Sequence, residues 1–229
     1  MIKILKDWLE IGEANKFLNK KGLQKHSTEK NWDMYHLYTI LEPMPREINL
    51  IDIGCGKLMT LKLLYAMGFK NLYGIDLSIS LRSRLSQATR MWRRRSLKAT
   101  FHLYKYDITK TRFSDQAFDV GICISVLEHG VNLEKFLAES HRILKKEGLL
   151  FITTDYWEED IKVNHDNKPF DLPWKIFSKK DIEQFIKLSY DYGFSLYKDS
   201  FIPECRDRCV LWNNQEYTFL CMVLKKGKT

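Results

Sequence analysis

The stretch that most constrains this chain is residues 49–56, which read Asn-Leu-Ile-Asp-Ile-Gly-Cys-Gly. Its apolar residues, interrupted by Asp52, predict a short strand of the kind that is buried on both faces in a parallel sheet. Gly54 and Gly56 then predict a sharp turn, and a run with leucines at helical spacing follows at once. A glycine turn between a buried strand and a helix lets a ligand approach the backbone closely. The stretch therefore predicts an α/β sheet with a ligand site at this turn.

The residues around the turn decide among three ligands. A phosphate-binding P-loop requires serine or threonine after the Gly-Lys pair, but Leu58 follows Gly56 and Lys57 here. A dinucleotide fingerprint requires a third glycine where this chain has Met59, and Asp52 would repel the pyrophosphate that such a turn binds. S-adenosylmethionine carries an ammonium and a sulfonium, so a carboxylate beside the turn suits it. The charge of Asp52 thus favours S-adenosylmethionine.

A second acid supports this interpretation. Residues 71–75 predict a second buried strand, which is followed by Asp76, 20 positions beyond Gly56. An acid about 20 residues after the glycine turn, at the end of the second strand, is placed to bind both ribose hydroxyls. The order of strand, glycine turn, helix, strand and acid is a more specific signal than the glycine turn or the acid alone.

The sequence contains four ordered motifs: Leu50–Gly56, Tyr73–Leu77, Tyr106–Ile108 and Phe118–His129. Together they resemble the motifs of class I S-adenosylmethionine-dependent methyltransferases, with the closest likeness to the small-molecule (type 11) branch. The likeness is close over roughly residues 48–155 and looser beyond them. It implies a Rossmann-like, doubly wound α/β sheet of seven strands, mostly parallel, with a C-terminal antiparallel hairpin. Where the family has its third glycine this chain has Leu58, whose side chain either crowds the methionine end of the cofactor or packs on the sheet.

The periodicity of the chain predicts a single domain over residues 1–229, built from three parts. Residues 1–45 predict an N-terminal helical cap, residues 48–155 the cofactor-binding core, and residues 156–229 a substrate-side loop, a helix and the terminal hairpin. The predicted helices are 1–20, 31–41, 57–67, 80–92, 132–144 and 178–191, and the predicted strands are 49–53, 71–75, 100–105, 118–124, 148–154, 194–202 and 216–225. The alternation in the core indicates a parallel sheet with right-handed crossovers.

Ligands of open parallel sheets bind at the carboxyl ends of the strands, so the residues after each strand are the candidates. Asp107 either accepts the adenine amino group or caps the turn before Thr109. Ile124 and Ser125 are expected to offer backbone atoms to the methionine end of the cofactor. With the resemblance, the predicted cofactor-binding residues are Asp52, Gly54, Cys55, Gly56, Asp76, Leu77, Asp107, Ile108, Ile124 and Ser125.

Glu128 and His129 follow the fourth core strand, at the edge where a methyl group would be presented. A histidine with a pKa near neutrality is suited to take a proton from an acceptor hydroxyl or amine. His129 is therefore the candidate general base, and Glu128 is a second candidate catalytic residue. Alternatively, the pair only shapes the loop, and positioning alone supports transfer to a nucleophilic group. Asp155, Asp160 and His165 are rival bases in the segment that follows.

The charge distribution of the chain limits the kinds of binding partner that it suits. The net charge is +8, and the run 82–98 contributes +7 of it without an acid, through Arg82, Arg84, Arg90, the triplet Arg93-Arg94-Arg95, and Lys98. This run indicates either a solvated helix end or a surface for an acidic partner such as RNA.

No apolar run reaches the roughly 20 residues that a membrane span needs. The five cysteines form no CxxC pair, which predicts reduced thiols, no metal site and a cytoplasmic protein.

The sequence therefore predicts an enzyme that transfers a methyl group from S-adenosylmethionine to an oxygen, nitrogen or carbon atom of a small molecule or sugar-like metabolite. It lacks both the Asn/Asp-Pro-Pro-Tyr/Phe box and the Pro-Cys nucleophile of other methyltransferases. Two alternatives stay open: an RNA methyltransferase that uses the basic run, and a cofactor-binding module without catalysis, which Leu58 suggests. The aromatic segment 155–177 predicts either a substrate lid or a packed connection.

Overall fold

The computed structural model describes residues 1–23, 29–79, 100–163, 168–198 and 201–227, and these contain nine strands and five α-helices. The strands are β1 (Ile2–Ile4), β2 (Asn49–Ile53), β3 (Asn71–Ile75), β4 (Thr100–Tyr104), β5 (Phe118–Ile124), β6 (Leu144–Tyr156), β7 (Phe194–Leu196), β8 (Val210–Trp212) and β9 (Gln215–Lys226). The helices are α1 (Trp8–Lys20), α2 (Lys30–Leu41), α3 (Met59–Ala66), α4 (Leu133–Ile143) and α5 (Lys179–Asp191). The predicted helix 80–92 and the basic run 82–98 lie outside the described residues.

One sheet forms the centre of the molecule. Its strands follow the order β1-β9-β6-β5-β2-β3-β4, and β7 and β8 also pair with β9. Strands β2 to β6 pair in parallel, whereas β9 pairs antiparallel with β6, β1, β7 and β8. The prediction of a doubly wound, mostly parallel α/β sheet with an antiparallel C-terminal pair is thus confirmed.

The predicted N-terminal helix 1–20 is wrong over its first residues, which form strand β1. Ile2 and Ile4 are buried and Lys3 between them is exposed, and this period of two fits an edge strand rather than a helix. Because β1 pairs with β9, it supplies main-chain partners along the outer edge of that strand. Helix α1 begins only after Asp7, whose side chain caps its first turn.

The predicted number of seven strands is also wrong, since the structure has nine in its described residues. The additional strands, β1 and β8, are short and pair with β9, which is 12 residues long and offers a long edge. Strands β8 and β9 form a hairpin whose turn is Asn213-Asn214, with φ of 53° and 59°. Asparagine tolerates this left-handed region, and such a turn matches the twist of the strands. Strand β7 ends at Leu196, so the predicted strand 194–202 is too long.

Apolar side chains cover both faces of the sheet. One hydrophobic cluster joins α1, α2 and α3 to one face, where Leu18, Leu37 and Leu61 are buried. A second cluster joins α4 and α5 to the opposite face through Phe136 and Phe185. The carboxyl ends of the parallel strands are left as the edge where a ligand site forms. No helix in the described ranges is long and apolar enough to cross a membrane.

Candidate active site

The turn between β2 and α3 is bonded directly to the end of β3. The amides of Gly54 and Cys55 both donate to the Ile75 carbonyl, at 2.8 and 3.0 Å. The Gly56 amide donates to Asp76 Oδ2 at 2.9 Å. The structure thus places the predicted glycine turn and the predicted ribose-binding acid side by side at the carboxyl edge of the sheet.

Both glycines are required by the geometry of this turn. Gly54 has a φ of 81°, and a Cβ atom there would lie 2.4 Å from Val126 Cγ2 on the neighbouring loop. Gly56 has a φ of 39°, and a Cβ atom there would meet only the Gly54 carbonyl oxygen, 4.0 Å away. The turn is therefore closed against its neighbour at Gly54 and open at Gly56, where a ligand is able to approach the backbone.

Leu58, which stands where the resembling family has a glycine, adopts the left-handed conformation with a φ of 62°. Because a Cβ atom disfavours this conformation by roughly 1–2 kcal/mol, glycine would adopt it with less strain. The Leu58 side chain is 5% exposed and belongs to the hydrophobic cluster that includes α1, α2 and α3. Of the two roles left open by the sequence, the structure shows packing. The same backbone conformation starts α3 at Met59, two residues later than predicted.

Asp52 lies on β2 beneath the turn and is 2% exposed. Burial, reinforced by the nearby Asp76 carboxylate, raises the pKa of Asp52 to about 8, although a hydrogen bond with Thr60 opposes the rise. Its Oδ2 has no hydrogen-bond partner in the described part of the chain. A buried carboxyl group with an unsatisfied oxygen is stabilised by a cation. The position therefore fits the ammonium group of S-adenosylmethionine.

The residues predicted to meet adenine lie at the ends of β3 and β4. Asp107 Oδ1 accepts from the Thr109 amide at 2.8 Å and from the Thr109 hydroxyl at 2.7 Å, so this carboxylate caps the turn after β4. A contact of Asp107 with adenine stays a prediction. Leu77 is 58% exposed, and Ile108 is half-buried. Both side chains remain accessible to a ligand at this edge.

The loop after β5 is held from two sides. Ile124 ends the strand, and Ser125 follows in the left-handed region with a φ of 52°. The Ser125 amide donates to the Thr153 carbonyl of β6 at 3.0 Å. The Lys30 ammonium, at the start of α2, donates to the Ser125 hydroxyl. The N-terminal cap therefore closes over the loop at which the methionine end of the cofactor is predicted.

Three carboxyl groups lie beside this loop, and we call them the acid cluster: Asp33 of α2, Glu128 of the loop after β5, and Asp155 of β6. They are 0, 1 and 4% exposed, respectively. Burial raises the pKa of Asp33 to about 6, against the attraction of Lys30. Burial, followed by repulsion from Asp155, raises the pKa of Glu128 well above its usual range. Burial likewise raises the pKa of Asp155, although Lys30 opposes the rise.

His129 lies in the same loop as Glu128. Burial, and secondly the Lys30 ammonium, lower the pKa of His129 below its ordinary value, so the imidazole is neutral at neutral pH. Its Nδ1 is buried without a hydrogen-bond partner among the described residues. The ring packs edge-on against Phe170, with 5.4 Å between centroids. A neutral imidazole is able to accept a proton, and the role of His129 as a base stays a prediction.

Aromatic side chains cover the acid cluster. Trp174 Nε1 donates to Asp155 Oδ2 at 2.9 Å, and the Trp174 ring packs edge-on against Trp212 with 5.0 Å between centroids. Phe170 is 75% exposed and stacks on Trp212 with 6.5 Å between centroids. The segment predicted to be a lid or a connection is thus packed at Trp174 and exposed at Phe170.

Two further predicted bases remain. Asp160 is exposed, and His165 lies outside the described residues. In the ranges that the structure describes, no group of three or more histidine, cysteine, aspartate or glutamate side chains is arranged to hold a metal ion. All five cysteine thiols are free.

Sequence analysis did not predict several residues of the site, among them Lys30 and Asp33 of α2, Tyr217, which contacts Asp155, and Phe219, which contacts Lys30. Lys30 and Asp33 are three positions apart on α2 and therefore share a helix face. Tyr217 and Phe219 alternate on β9 and therefore share a sheet face. These spacings show which residues lie together on an element, but they do not show which other element that face meets.

Comparisons with known proteins agree with this geometry. A family model described as a methyltransferase domain matches residues 51–152. A ubiquinone biosynthesis O-methyltransferase of Rickettsia conorii is 30% identical over 108 residues, which cover 47% of this chain and 35% of that protein. The matched region thus spans about a third of the length of this curated relative.

Two further comparisons cover more of the chain. An uncharacterised protein of Methanocaldococcus jannaschii is 30% identical over 185 residues, covering 80% of this chain and 74% of that protein. A crystal structure of 1,6-didemethyltoxoflavin-N1-methyltransferase from Burkholderia thailandensis is similar with a TM-score of 0.62 and 14% identity, covering 96% of this chain and 87% of that one. That structure contains 1,6-didemethyltoxoflavin and S-adenosylhomocysteine. Residues 51–152 of the chain thus match a methyltransferase domain, and the fold is that of solved S-adenosylmethionine-dependent methyltransferases.

Proposed function

We propose that this protein binds S-adenosylmethionine at the turn after β2 and transfers its methyl group to a small-molecule acceptor. The observation that carries the proposal is the bond from Gly56 to Asp76 beside the buried Asp52, whose Oδ2 has no hydrogen-bond partner among the described residues. The two acids match two parts of this cofactor. Asp76 is placed for the ribose hydroxyls, and Asp52 is placed for the ammonium group. A pyrophosphate at the same turn would face the Asp76 carboxylate, which disfavours it.

The Asp76 carboxylate is oriented by its own chain before any ligand arrives. Its Oδ2 accepts from the Gly56 amide, and its Oδ1 accepts from the Ser78 amide at 2.7 Å and from the Ser78 hydroxyl at 2.5 Å. A side chain that is already held in place loses little conformational entropy when it binds a ligand. Asp76 is therefore the residue proposed to hold the ribose.

The remaining roles concern the acceptor. Bound S-adenosylmethionine supplies a methyl group on a sulfonium, and the acceptor atom displaces it in line. His129, which is neutral because burial and Lys30 lower its pKa, is proposed to take the proton of a hydroxyl acceptor. An acceptor that is already nucleophilic requires only correct positioning. The fixed loop from Ser125 to His129 provides that positioning.

Leu58 no longer gives a reason to favour a cofactor-binding module without catalysis. Its side chain packs in the hydrophobic core, so its presence in place of glycine is compatible with an open turn at Gly56. The proposal therefore assigns the chain an enzymatic role.

Titration calorimetry with S-adenosylmethionine, with S-adenosylhomocysteine and with NAD tests the cofactor. We expect both S-adenosyl ligands to bind and NAD to show no binding at the same concentrations. Incubation with methyl-tritiated S-adenosylmethionine and a panel of phenols, amines and sugars then tests transfer. A folded protein that fails to bind S-adenosylmethionine, or that prefers NAD, contradicts the proposal.

A further inference from the structure

The acid cluster is the part of the site that the proposed methyl transfer does not yet use. Trp174 Nε1 donates to Asp155 Oδ2 at 2.9 Å, and the next amide, that of Lys175, donates to the Glu128 carbonyl at 3.0 Å. The Thr154 hydroxyl donates to Glu128 Oε2 at 3.2 Å. These bonds hold the Glu128 and Asp155 side chains at the ends of the neighbouring strands β5 and β6.

The acid cluster has fewer positively charged groups than carboxyl groups. In the described ranges, the salt bridge between Lys30 and Asp33, at 3.4 Å, is the one ion pair that involves its carboxyl groups. Glu128 Oε1 is buried and has no hydrogen-bond partner among the described residues. A buried carboxyl oxygen without a partner costs free energy until a donor or a cation meets it. One ammonium therefore faces three carboxyl groups, and the cluster favours a positively charged ligand.

Aromatic rings complete the environment. Lys30 Nζ lies 3.6 Å from the centroid of the Phe219 ring, so the site already holds one cation against a ring. Tyr217, on the same face of β9, packs against Phe219 and Trp174 with 6.1 and 6.0 Å between centroids. Rings that stand beside carboxyl groups are the combination that binds organic ammonium ions.

A metal ion fits this environment poorly. Calcium and magnesium require six or more oxygen ligands, whereas rings form much of this wall. The described residues contain no group of three or more potential ligands with a geometry that suits a metal. The charge and the rings thus point to an organic cation.

We propose that the acid cluster anchors the substrate through an ammonium group, so that the substrate is a small organic amine whose methyl-accepting atom is a separate group with a free electron pair. The inference rests on the proposed methyl transfer, because it assigns the substrate of that same site. Glu128 shares its loop with His129, so an amine held by Glu128 and Asp155 lies beside the predicted methionine end of the cofactor. The exposed rings of Phe170 and of Trp212, which ends β8, supply apolar surface for the body of the amine.

Phenethylamine and its uncharged counterpart 2-phenylethanol are the probes. Each is titrated by calorimetry into the protein loaded with S-adenosylhomocysteine. We expect the amine to bind about tenfold or more tightly than the alcohol, as a hydrogen bond to a charged group implies. Glu128→Gln and Asp155→Asn, which keep the shape of the side chains, should each remove most of this preference. Glu159→Gln changes an exposed acid just after β6 and should retain it.

Equal binding of the two probes, absence of amine binding, or a preference that survives both substitutions overturns the proposal. If circular dichroism shows that Asp155→Asn does not fold, Glu128→Gln alone decides, because its amide oxygen still accepts from Thr154. Binding of S-adenosylhomocysteine is measured in the same samples. Its failure contradicts the proposed function, whereas cofactor binding without an amine preference contradicts only the amine inference.

Discussion

Replacing Asp52 by asparagine is expected to abolish a proton release that accompanies cofactor binding. Because burial raises the pKa of Asp52 to about 8, its carboxyl group is mainly protonated at pH 7 in the free protein. The ammonium group of S-adenosylmethionine, bound beside this carboxyl, favours the ionised form and lowers the pKa. The wild-type protein should therefore release close to one proton for each cofactor that binds.

The pH dependence of cofactor affinity follows from the same coupling between cofactor binding and proton release. While the free protein holds the proton and the complex does not, the Kd falls by up to about tenfold for each unit of rising pH. The α-amino group of the cofactor ordinarily titrates near pH 8, so it stays charged between about pH 5.5 and 7. Within that window the wild type should bind more tightly as the pH rises, and Asp52→Asn should show a flatter profile.

Calorimetry at pH 7 in two buffers with different ionisation enthalpies gives the number of protons released. Asp191→Asn, which changes an exposed carboxylate at the end of α5, is the control and should release as many protons as the wild type. If the wild type releases no proton, or if Asp52→Asn releases the same number, Asp52 does not face the ammonium. The assignment of this end of the cofactor would then be wrong.

Three further substitutions test the turn, the ribose site and the base. Asp76→Ala should weaken S-adenosylmethionine binding by about 1.5–3 kcal/mol, and unchanged affinity in calorimetry would count against the ribose role. Gly54→Ala should lower the melting temperature, because its Cβ would lie 2.4 Å from Val126 Cγ2. Adding Val126→Ala should recover part of that loss, and a lack of recovery would exclude the clash as the cause. His129→Ala should reduce turnover of a hydroxyl acceptor by roughly 100- to 10,000-fold with cofactor affinity intact, whereas a loss below about tenfold would leave only a positioning role. Because burial lowers the pKa of His129, wild-type turnover should decline only when the pH falls below the ordinary histidine range.

The core strands were predictable because their signal is local. Strands β2, β3 and β5 occupy the predicted residues, since nearly every side chain in them is apolar and buried on both faces. Strand β6 begins four residues before the prediction, at Leu144 rather than at 148. Its early residues include Lys145, Lys146 and Glu147, which are polar because that end of the strand reaches solvent. A buried-strand pattern does not recognise such an extension.

The edge of the sheet was less predictable for a related reason. Strand β1 is three residues long, and a period of two cannot be separated from a helical start over so short a stretch. Its pairing depends on β9, which lies more than 200 residues away in the sequence. Such a contact forms because β9 offers unpaired main-chain groups, and no local pattern records that requirement.

By itself, the sequence predicted the glycine turn, the two acids beside it, and S-adenosylmethionine as the cofactor. Glycine is needed where the turn has a positive φ, and Asp52 and Asp76 follow from their places on and after buried strands. Each of these signals spans fewer than 30 residues and depends on backbone geometry and charge alone.

Only the tertiary structure decided the acid cluster. Asp33, Glu128 and Asp155 are separated by 95 and 27 residues, and they meet because the start of α2 contacts the loop after β5, where Lys30 donates to Ser125. Their raised pKa values arise chiefly from burial. Burial is a property of the assembled fold, since desolvation depends on every element that covers a carboxyl group. The cofactor was therefore predictable from local sequence pattern, whereas the acid cluster forms only because distant elements pack together.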